Sequence, residues 1–258
     1  MAARAMWKGV VRIDDVATPV KLYAAVEDRT VRFRLLERRT QTPVSQKLVD
    51  PAADQVVAFE DTRRGFVTDE DELVMLEPDE LEALEPEASR DIDVVQFVAP
   101  ETIDHRWYVR PYYLGPDGDL PRYTALAAAL KAVGLEGVAH WTMRTKAYVG
   151  ALRLHRGYPV LVVLRSVDEV VPLEQVERPA WKPLDDRQRK MARQLVEMLA
   201  APFEPDAYRD DYRERVEELI AAKREGERPK PPKRRERRPV SDLDQALERS
   251  LSAGARRA

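Results

Sequence analysis

The chain has 258 residues, a formal net charge of −3 and no cysteine, which excludes disulfides, thiolate metal sites and cysteine nucleophiles. It contains neither the run of about 18 apolar residues that a membrane span requires nor a signal-peptide pattern at its start. We therefore expect a cytoplasmic protein with one sizeable core and an appendage.

The first third of the sequence alternates apolar and polar residues, as half-buried strands do. In the second of three predicted strands, Leu22 falls on the core side and Lys21 on the other side. In the third, Phe33 falls on the core side, whereas Arg32 and Arg34 share the polar side. The three runs are WKGVVRI, TPVKLYAAV and TVRFRLLER.

The middle of the chain predicts mixed structure. Two strand fragments flank an acidic turn within residues 66–76, and a short helix follows at residues 78–84. A strand is expected at residues 93–98, and the prolines and glycines of residues 105–123 favour an extended segment and loop over a helix. The next run, TALAAALKAVG, predicts a helix that ends at Gly134.

Residues 137–166 give the clearest strand pattern, with three runs and a tight turn at Arg156-Gly157. Read as one strand through Thr145, the first run places Arg144 and Lys146 on the polar side. Arg153 is a further basic position, in the second run.

From residue 185 the apolar spacing becomes helical and predicts two amphipathic helices. The following run, ERPKPPKRRERRP, cannot bury apolar area and predicts a disordered basic linker. A short helix is expected to close the chain. Its apolar stripe, which includes Leu247 and Leu251, has no evident partner within the chain.

Charge is strongly segregated along the sequence. Residues 60–93 carry 14 acidic and 3 basic side chains, whereas residues 223–238 hold 9 Lys or Arg against 3 Glu. Basic strand faces and a basic linker are features of proteins that bind nucleic-acid phosphates. The same features also occur on ordinary solvated surfaces and on proteins that bind other polyanions.

Catalytic and metal-binding motifs are absent from the sequence. The three histidines lack zinc spacing, and the acidic segment lacks the spacing of a calcium loop. No nucleotide-binding glycine loop and no nucleophile elbow occurs. We therefore expect neither enzymatic activity nor a metal or cofactor.

Seven motifs follow one another along the chain: ARAMWKGVV at 3–11, TPVKLY at 18–23, VRFRLL at 31–36, SRDID at 89–93, RPYYLGPD at 110–117, RQLVEML at 193–199 and FEPDAYRDDYRE at 203–214. Their order resembles one family, the bacterial Ku proteins of non-homologous end joining, over residues 3–225. A cysteine-rich insert found in some members is replaced at residues 46–54 by a stretch without cysteine.

The resemblance implies an α+β protein with a Ku-type β-barrel core. Inserted arms would join two copies into a homodimeric ring around the end of a double-stranded DNA break. It also implies recruitment of the multifunctional ATP-dependent DNA ligase of bacterial end joining, with no catalytic site in the chain itself. We expect a cytoplasmic, nucleoid-associated protein; the alternative is a general polyanion- or RNA-binding module that acts through its basic tail.

The predicted organisation is a barrel core with arms at residues 1–180, a helical arm at 181–225 and a flexible basic tail with a terminal helix at 226–258. In the core we expect DNA contact from basic residues on the polar sides of the predicted strands. In the tail we expect it from the Lys and Arg residues of the basic run. The predicted contacts are Lys21, Arg32, Arg34, Lys47, Arg144, Lys146, Arg153, Lys230, Lys233, Arg234, Arg235, Arg237 and Arg238.

Overall fold

A computed structural model describes residues 3–180, 183–227 and 243–254. The chain divides into two compact units, one formed by Met1–Arg29 with Arg34–Gln175 and the other by Thr30–Phe33 with Val176–Ala258. Among the described residues, the first unit contains all the strands and the second contains three α-helices. Among the described residues, no helix combines the length and apolar content needed to cross a bilayer.

Seven strands of the first unit form a closed barrel. They are β1 (Trp7–Ile13), β2 (Val16–Ala24), β7 (Asp91–Val98), β8 (Tyr108–Pro116), β9 (Glu136–Met143), β10 (Lys146–His155) and β11 (Tyr158–Leu164). Their order around the barrel is β1-β2-β8-β11-β10-β9-β7. All neighbouring pairs are antiparallel except β1 with β7, a parallel pair that closes the barrel.

The barrel interior is filled by alternate residues of these strands, because successive side chains of a strand point to opposite faces. Val20 and Leu22 of β2 have no exposed surface, and Lys21 between them lies on the outer face, as the alternation predicts. Leu114 and Leu161 continue the same core from β8 and β11. Each such leucine contributes about 1.5–3 kcal/mol through removal of apolar surface from water.

Helix α2 (Leu120–Val133) covers one end of the barrel, where β2 begins and β8 ends. It buries Tyr123, Leu126 and Leu130 in the barrel core, and the Tyr123 hydroxyl donates a 2.7 Å hydrogen bond to the Leu114 carbonyl. The predicted C-terminal cap is confirmed, because Gly134 has a φ of 68° and its N–H donates to the Leu130 carbonyl.

Residues 34–90 form an arm inserted between β2 and β7. The arm contains the hairpin of β3 (Leu48–Asp50) and β4 (Gln55–Val57), the hairpin of β5 (Arg64–Val67) and β6 (Leu73–Leu76), and helix α1 (Pro78–Ala83). The prediction of two strand fragments around an acidic turn, followed by a short helix, is confirmed. No residue of the arm is buried.

The third predicted strand, over TVRFRLLER, is wrong. Residues 27–35 have no regular structure, and the one bridge nearby joins Leu36 to Pro43. Phe33 and Leu35 are each 67% exposed, so they do not enter the barrel core. The physical reason is that the seven barrel strands pair around a closed circle, which leaves no free edge for this segment.

Two other predictions need correction around the last strands. The segment rich in proline and glycine is extended as predicted, but it forms the full barrel strand β8. Arg144 lies in the turn between β9 and β10 with a φ of 60°, so the first run ends at Met143. Lys146 pairs with Met143 and shares its side of the sheet, not that of Thr142.

The second unit contains α3 (Asp186–Leu199), α4 (Asp211–Arg224) and α5 (Leu243–Gly254). The expectation that the terminal helix lacks an intramolecular partner is wrong, because α5 packs against α3. Leu247 is only 8% exposed there, and the Gln188 side chain donates a 3.0 Å hydrogen bond to Asp244. The predicted disordered linker lies outside the described residues.

Replacement of Gly150 by alanine should destabilise the barrel. A Cβ atom at this position would lie 2.6 Å from Cζ3 of Trp141 and 2.7 Å from the Val162 carbonyl oxygen. The buried indole ring and the β11 backbone cannot withdraw cheaply, so we expect Gly150→Ala to lower the free energy of unfolding by about 1–3 kcal/mol. Chemical denaturation measures this change.

The matched control is Gly65→Ala in the exposed hairpin of β5 and β6. The nearest atom there, 2.9 Å away, is the flexible Cδ1 of Leu73, which is 72% exposed. This variant should retain nearly full stability. Equal unfolding energies for the two variants would contradict the described packing of Trp141 on Gly150.

Candidate nucleic-acid interface

The outer face of β1 and β2 carries two lysines that share one carboxylate. Lys8 and Lys21 are register partners across these strands. Their Nζ atoms each lie 3.1 Å from a carboxylate oxygen of Asp117, which follows β8. Three formal charges therefore leave a net charge of +1 at this position.

Hydrogen bonds from Lys8 and then Lys21 lower the pKa of the Asp117 carboxyl group. The carboxylate consequently stays ionised at neutral pH and competes with any external anion for both lysines. Lys21, a predicted DNA contact, is thus on the outer surface but already has an acidic partner. Its contact with DNA stays a prediction.

Arg153 has a structural partner that the sequence did not reveal. Its Nε atom lies 3.1 Å from Oε1 of Glu136, a carboxylate with only 2% of its side chain exposed. Arg153 and Glu136 therefore form an ion pair, but their geometry is not that of a hydrogen bond, and Oε1 of Glu136 accepts no hydrogen bond from the described residues. The guanidinium group also lies over the Tyr108 ring, 5.5 Å from its centroid.

The second carboxylate oxygen of Glu136 accepts a 2.7 Å hydrogen bond from the Tyr108 hydroxyl. Burial, together with this hydrogen bond, raises the pKa of Tyr108 to about 12. The arrangement neutralises a buried charge, which would otherwise be costly to desolvate. Arg153 therefore serves the barrel itself, and any contribution to DNA contact would be additional.

Two further predicted contacts lie at the end of the barrel opposite α2. Arg144 and Lys146 are exposed at the turn from β9 to β10. Neither forms an ion pair with any residue in the described ranges. They are available to an anionic ligand without displacement of an internal partner.

The first part of the arm, residues 34–47, is a basic limb. Arg34 and Lys47 are exposed there and make no ion pair within the part of the chain that the structure describes. Arg32 precedes the limb in the irregular segment and belongs to the second compact unit. Arg32 and Arg34 were predicted as DNA contacts because they share the polar side of the predicted third strand, and that strand is not formed. Their exposure to solvent remains as support for the prediction.

Arg38 and Arg39 extend the basic limb and were missed by the strand-based prediction. They lie in an exposed turn that the Glu37 carboxylate organises by accepting hydrogen bonds from the backbone N–H groups of Arg39 and Thr40. A hydrogen bond from the Thr40 hydroxyl, followed by the backbone bonds, lowers the pKa of Glu37. The signal in the sequence is the Arg-Arg pair followed by the polar run TQT.

The second part of the arm, residues 60–87, is an acidic limb with 12 acidic and 2 basic side chains. Its acidic turn joins β5 to β6, and Glu77 and Glu80 form a capping box at the start of α1. No three acidic or histidine residues among those described are arranged to hold a metal ion. Because carboxylates repel phosphates, we do not expect this limb to contact DNA.

The six basic residues predicted in the tail lie outside the described residues. They are Lys230, Lys233, Arg234, Arg235, Arg237 and Arg238.

Comparison with known proteins gives consistent matches. The family model for the Ku70/Ku80 beta-barrel domain matches residues 12–191. The non-homologous end joining protein Ku 2 of Geotalea uraniireducens is 34% identical over 253 residues, which cover 97% of this chain and 98% of that protein. Ku 3 of Saccharopolyspora erythraea is 36% identical and covers 92% of each chain. The match to Ku of Symbiobacterium thermophilum, 35% identical, covers 98% of this chain but 63% of that protein.

Loss of the Arg153 guanidinium should primarily affect stability. Arg153→Gln leaves the buried Glu136 carboxylate without its cation, so we expect a loss of roughly 1–3 kcal/mol in the free energy of unfolding. Urea denaturation gives this value, with the exposed and unpaired Lys146→Gln as the stability control. Unchanged stability combined with weaker DNA binding would reverse the assignment.

Neutralising Asp117 should strengthen DNA binding if Lys8 and Lys21 face phosphates. Asp117→Asn removes the competing charge, and one additional phosphate contact steepens the dependence of log affinity on log salt by about 0.9. Titrations at several salt concentrations measure this slope. Glu217→Gln, which releases Arg213 on α4, is the control, and identical slopes for Asp117→Asn and the unmodified protein would argue against contact by these lysines.

Proposed function

The chain belongs to the Ku family, and from this premise we propose that it binds the ends of double-stranded DNA breaks as a homodimeric ring during non-homologous end joining. The relatives described above carry the name non-homologous end joining protein Ku. Phosphate contacts suit this role, because they hold DNA without reading its sequence and so accept any break.

The observation that carries the proposal is the composition and exposure of the inserted arm. Its hairpins and turns hold apolar side chains open to solvent, among them Phe59 at 84% and Leu73 at 72% exposure. Isolated two-stranded hairpins are marginally stable in water, and large exposed apolar patches mark interaction surfaces. A partner that packs against both hairpins would stabilise the arm.

A second copy of the chain is the simplest such partner. Two identical arms related by a two-fold axis bury the same patch on each subunit, which closes the assembly as a dimer. The basic limb at residues 34–47 would then face the space enclosed by two arms and two barrels. The acidic limb at residues 60–87 would keep DNA away from the outside.

The proposed DNA contacts follow from charge and accessibility. Four exposed cations form no ion pair in the described regions: Arg34, Lys47, Arg144 and Lys146. Lys21 is paired with Asp117, which would compete with a phosphate for it. Arg32 and Arg153 stay within the proposal as secondary contacts. The tail cations would add sequence-independent affinity.

Within this proposal the chain does no chemistry on DNA. It positions the end and recruits the multifunctional ATP-dependent DNA ligase of bacterial end joining, and it acts in the cytoplasm at the nucleoid. The exposed apolar side chains of the helical unit support the recruitment step, because a docked partner would remove them from water.

A ring that threads DNA should distinguish linear from closed duplex. We expect tight binding to linear duplex, little binding to covalently closed circles of equal length, and trapping when both ends are blocked after loading. Competition between the two DNA forms measures this preference. Equal affinity for linear and closed circular DNA would contradict the ring.

Two variants separate the ring from a module that binds through its tail. Val67→Glu with Leu73→Glu, which are register partners, places charge on one exposed face of the β5–β6 hairpin and should give a monomer without the preference for ends. Thr68→Glu in the acidic turn should remain dimeric. Truncation after Gly226 should keep end binding with a shallower salt dependence. Complete loss of binding on truncation would favour the tail module.

A further inference from the structure

Three tyrosines form a cluster on the outer face of the barrel, on the neighbouring strands β2, β8 and β11. Tyr23 and Tyr113 are register partners across β2 and β8, and Tyr158 begins β11. The adjacent residues of each strand are buried in the core, so these three side chains point outwards. Tyr113 is 39% exposed and Tyr158 is 40% exposed. Together the rings surround an open depression of about 430 Å³.

Contacts within the barrel unit hold the rings of this tyrosine cluster in place. A Cβ atom on the buried Gly115 would lie 2.9 Å from Cε2 of Tyr23 and 3.1 Å from the Tyr158 hydroxyl oxygen, so both side chains lie against this glycine. Tyr158 also meets Tyr113 edge to face, with ring centroids 5.8 Å apart. A second edge contact, at 6.2 Å, joins Tyr158 to the buried Tyr123 of α2. Rings that are already held lose less side-chain entropy when a ligand binds.

Cations lie beside the tyrosine cluster on two sides. Lys21 is the register partner of Gly115, and Lys8 follows it on β1. Arg156 lies in the turn that leads into β11, where it is exposed and forms no ion pair within the part of the chain that the structure describes. Asp117 opposes these charges through its ion pairs with both lysines. Three cations and one carboxylate leave a formal charge of +2 around the rings.

Exposed rings beside cations are the combination that binds single-stranded nucleic acid. Unpaired bases stack on aromatic side chains, and the cations attract the phosphates between them. Bases within an intact duplex are stacked on one another and do not offer their faces. The row from Lys8 to Tyr158 crosses four neighbouring strands, which is roughly 14 Å at the usual spacing between strands. This surface therefore has room for more than one unpaired nucleotide.

We propose that the tyrosine cluster, with Lys8, Lys21 and Arg156, binds the unpaired nucleotides of a single-stranded overhang at a DNA break. The inference rests on the proposed function and adds to it a contact for the strand that extends beyond the duplex. Stacking on tyrosine tolerates any sequence, because every base has a π face. The contact therefore suits breaks whose overhangs differ in sequence, while phosphate contacts hold the duplex itself.

The test compares binding of the full-length protein to a blunt duplex and to the same duplex with a short thymidine overhang, which should bind more tightly. Tyr113→Leu with Tyr158→Leu, the leucine variant, keeps apolar bulk but removes two rings. It should lose about fivefold or more of the affinity for the overhanging duplex and keep its affinity for the blunt one. Tyr113→Phe with Tyr158→Phe retains the rings and should retain the preference. Tyr212→Leu removes an exposed tyrosine of α4 and, as the matched control, should bind both duplexes normally.

Photocrosslinking locates the contact in the unmodified protein and needs no variant that could fail to fold. An iodouracil base in the overhang should crosslink to Tyr23, Tyr113 or Tyr158, as mass spectrometry of the digested protein would show. Crosslinks confined to residues outside the tyrosine cluster would overturn the proposal.

Each alternative occupant of the cluster gives a different result. Equal loss of affinity for both duplexes by the folded leucine variant would assign the cluster to double-stranded DNA and overturn the proposal. Dissociation of the homodimer in sedimentation experiments would assign it to a second copy and overturn it as well. If the unmodified protein binds neither duplex, the proposed function itself fails. If it binds both equally, or if the leucine variant keeps the preference for the overhang, only the overhang site fails.

Discussion

Closure of the seven-stranded barrel by the parallel pair of β1 and β7 is the constraint on which the rest of the architecture depends. Once every strand has two neighbours, no edge is left to accept another strand. The chain between β2 and β7 must therefore leave the barrel, and it does so as an arm without a buried residue. The barrel contains the buried core of its unit, and the arm presents apolar side chains to solvent.

The same division governs the electrostatics. On the barrel, cations are mostly committed to internal carboxylates: Lys8 and Lys21 to Asp117, and Arg153 to the buried Glu136. On the arm, Arg34 and Lys47 have no such commitment within the described residues. A phosphate-binding surface needs cations that have no internal carboxylate partner, because a paired cation must lose that partner before it can bind a phosphate. Exposure alone therefore overstates how basic the barrel is towards DNA.

Local patterns predicted most barrel strands, because one-sided burial imposes the alternation seen in β2 and because Arg156-Gly157 adopts a turn in which both residues have positive φ. The alternation around Phe33 predicted a buried side chain, but Phe33 is exposed because the closed barrel has no edge at which this segment could pair. Counting alternate residues through Arg144 also failed, because Arg144 lies in a turn and the strand that follows does not continue the alternation of β9. The partners of Lys21 and Arg153 are 96 and 17 residues away in sequence, so no local pattern could reveal them. The packing of α5 on α3 is likewise a long-range contact.

That packing also decides what removal of α5 would expose. Met191 and Leu195 of α3 are half-buried, and Leu247 of α5 in the same compact unit is 8% exposed. A chain that ends before α5 would leave apolar side chains of α3 open to water, and exposed apolar patches of this kind favour self-association. Loss of the terminal helix would therefore change the solubility of the helical unit as well as the charge of the chain.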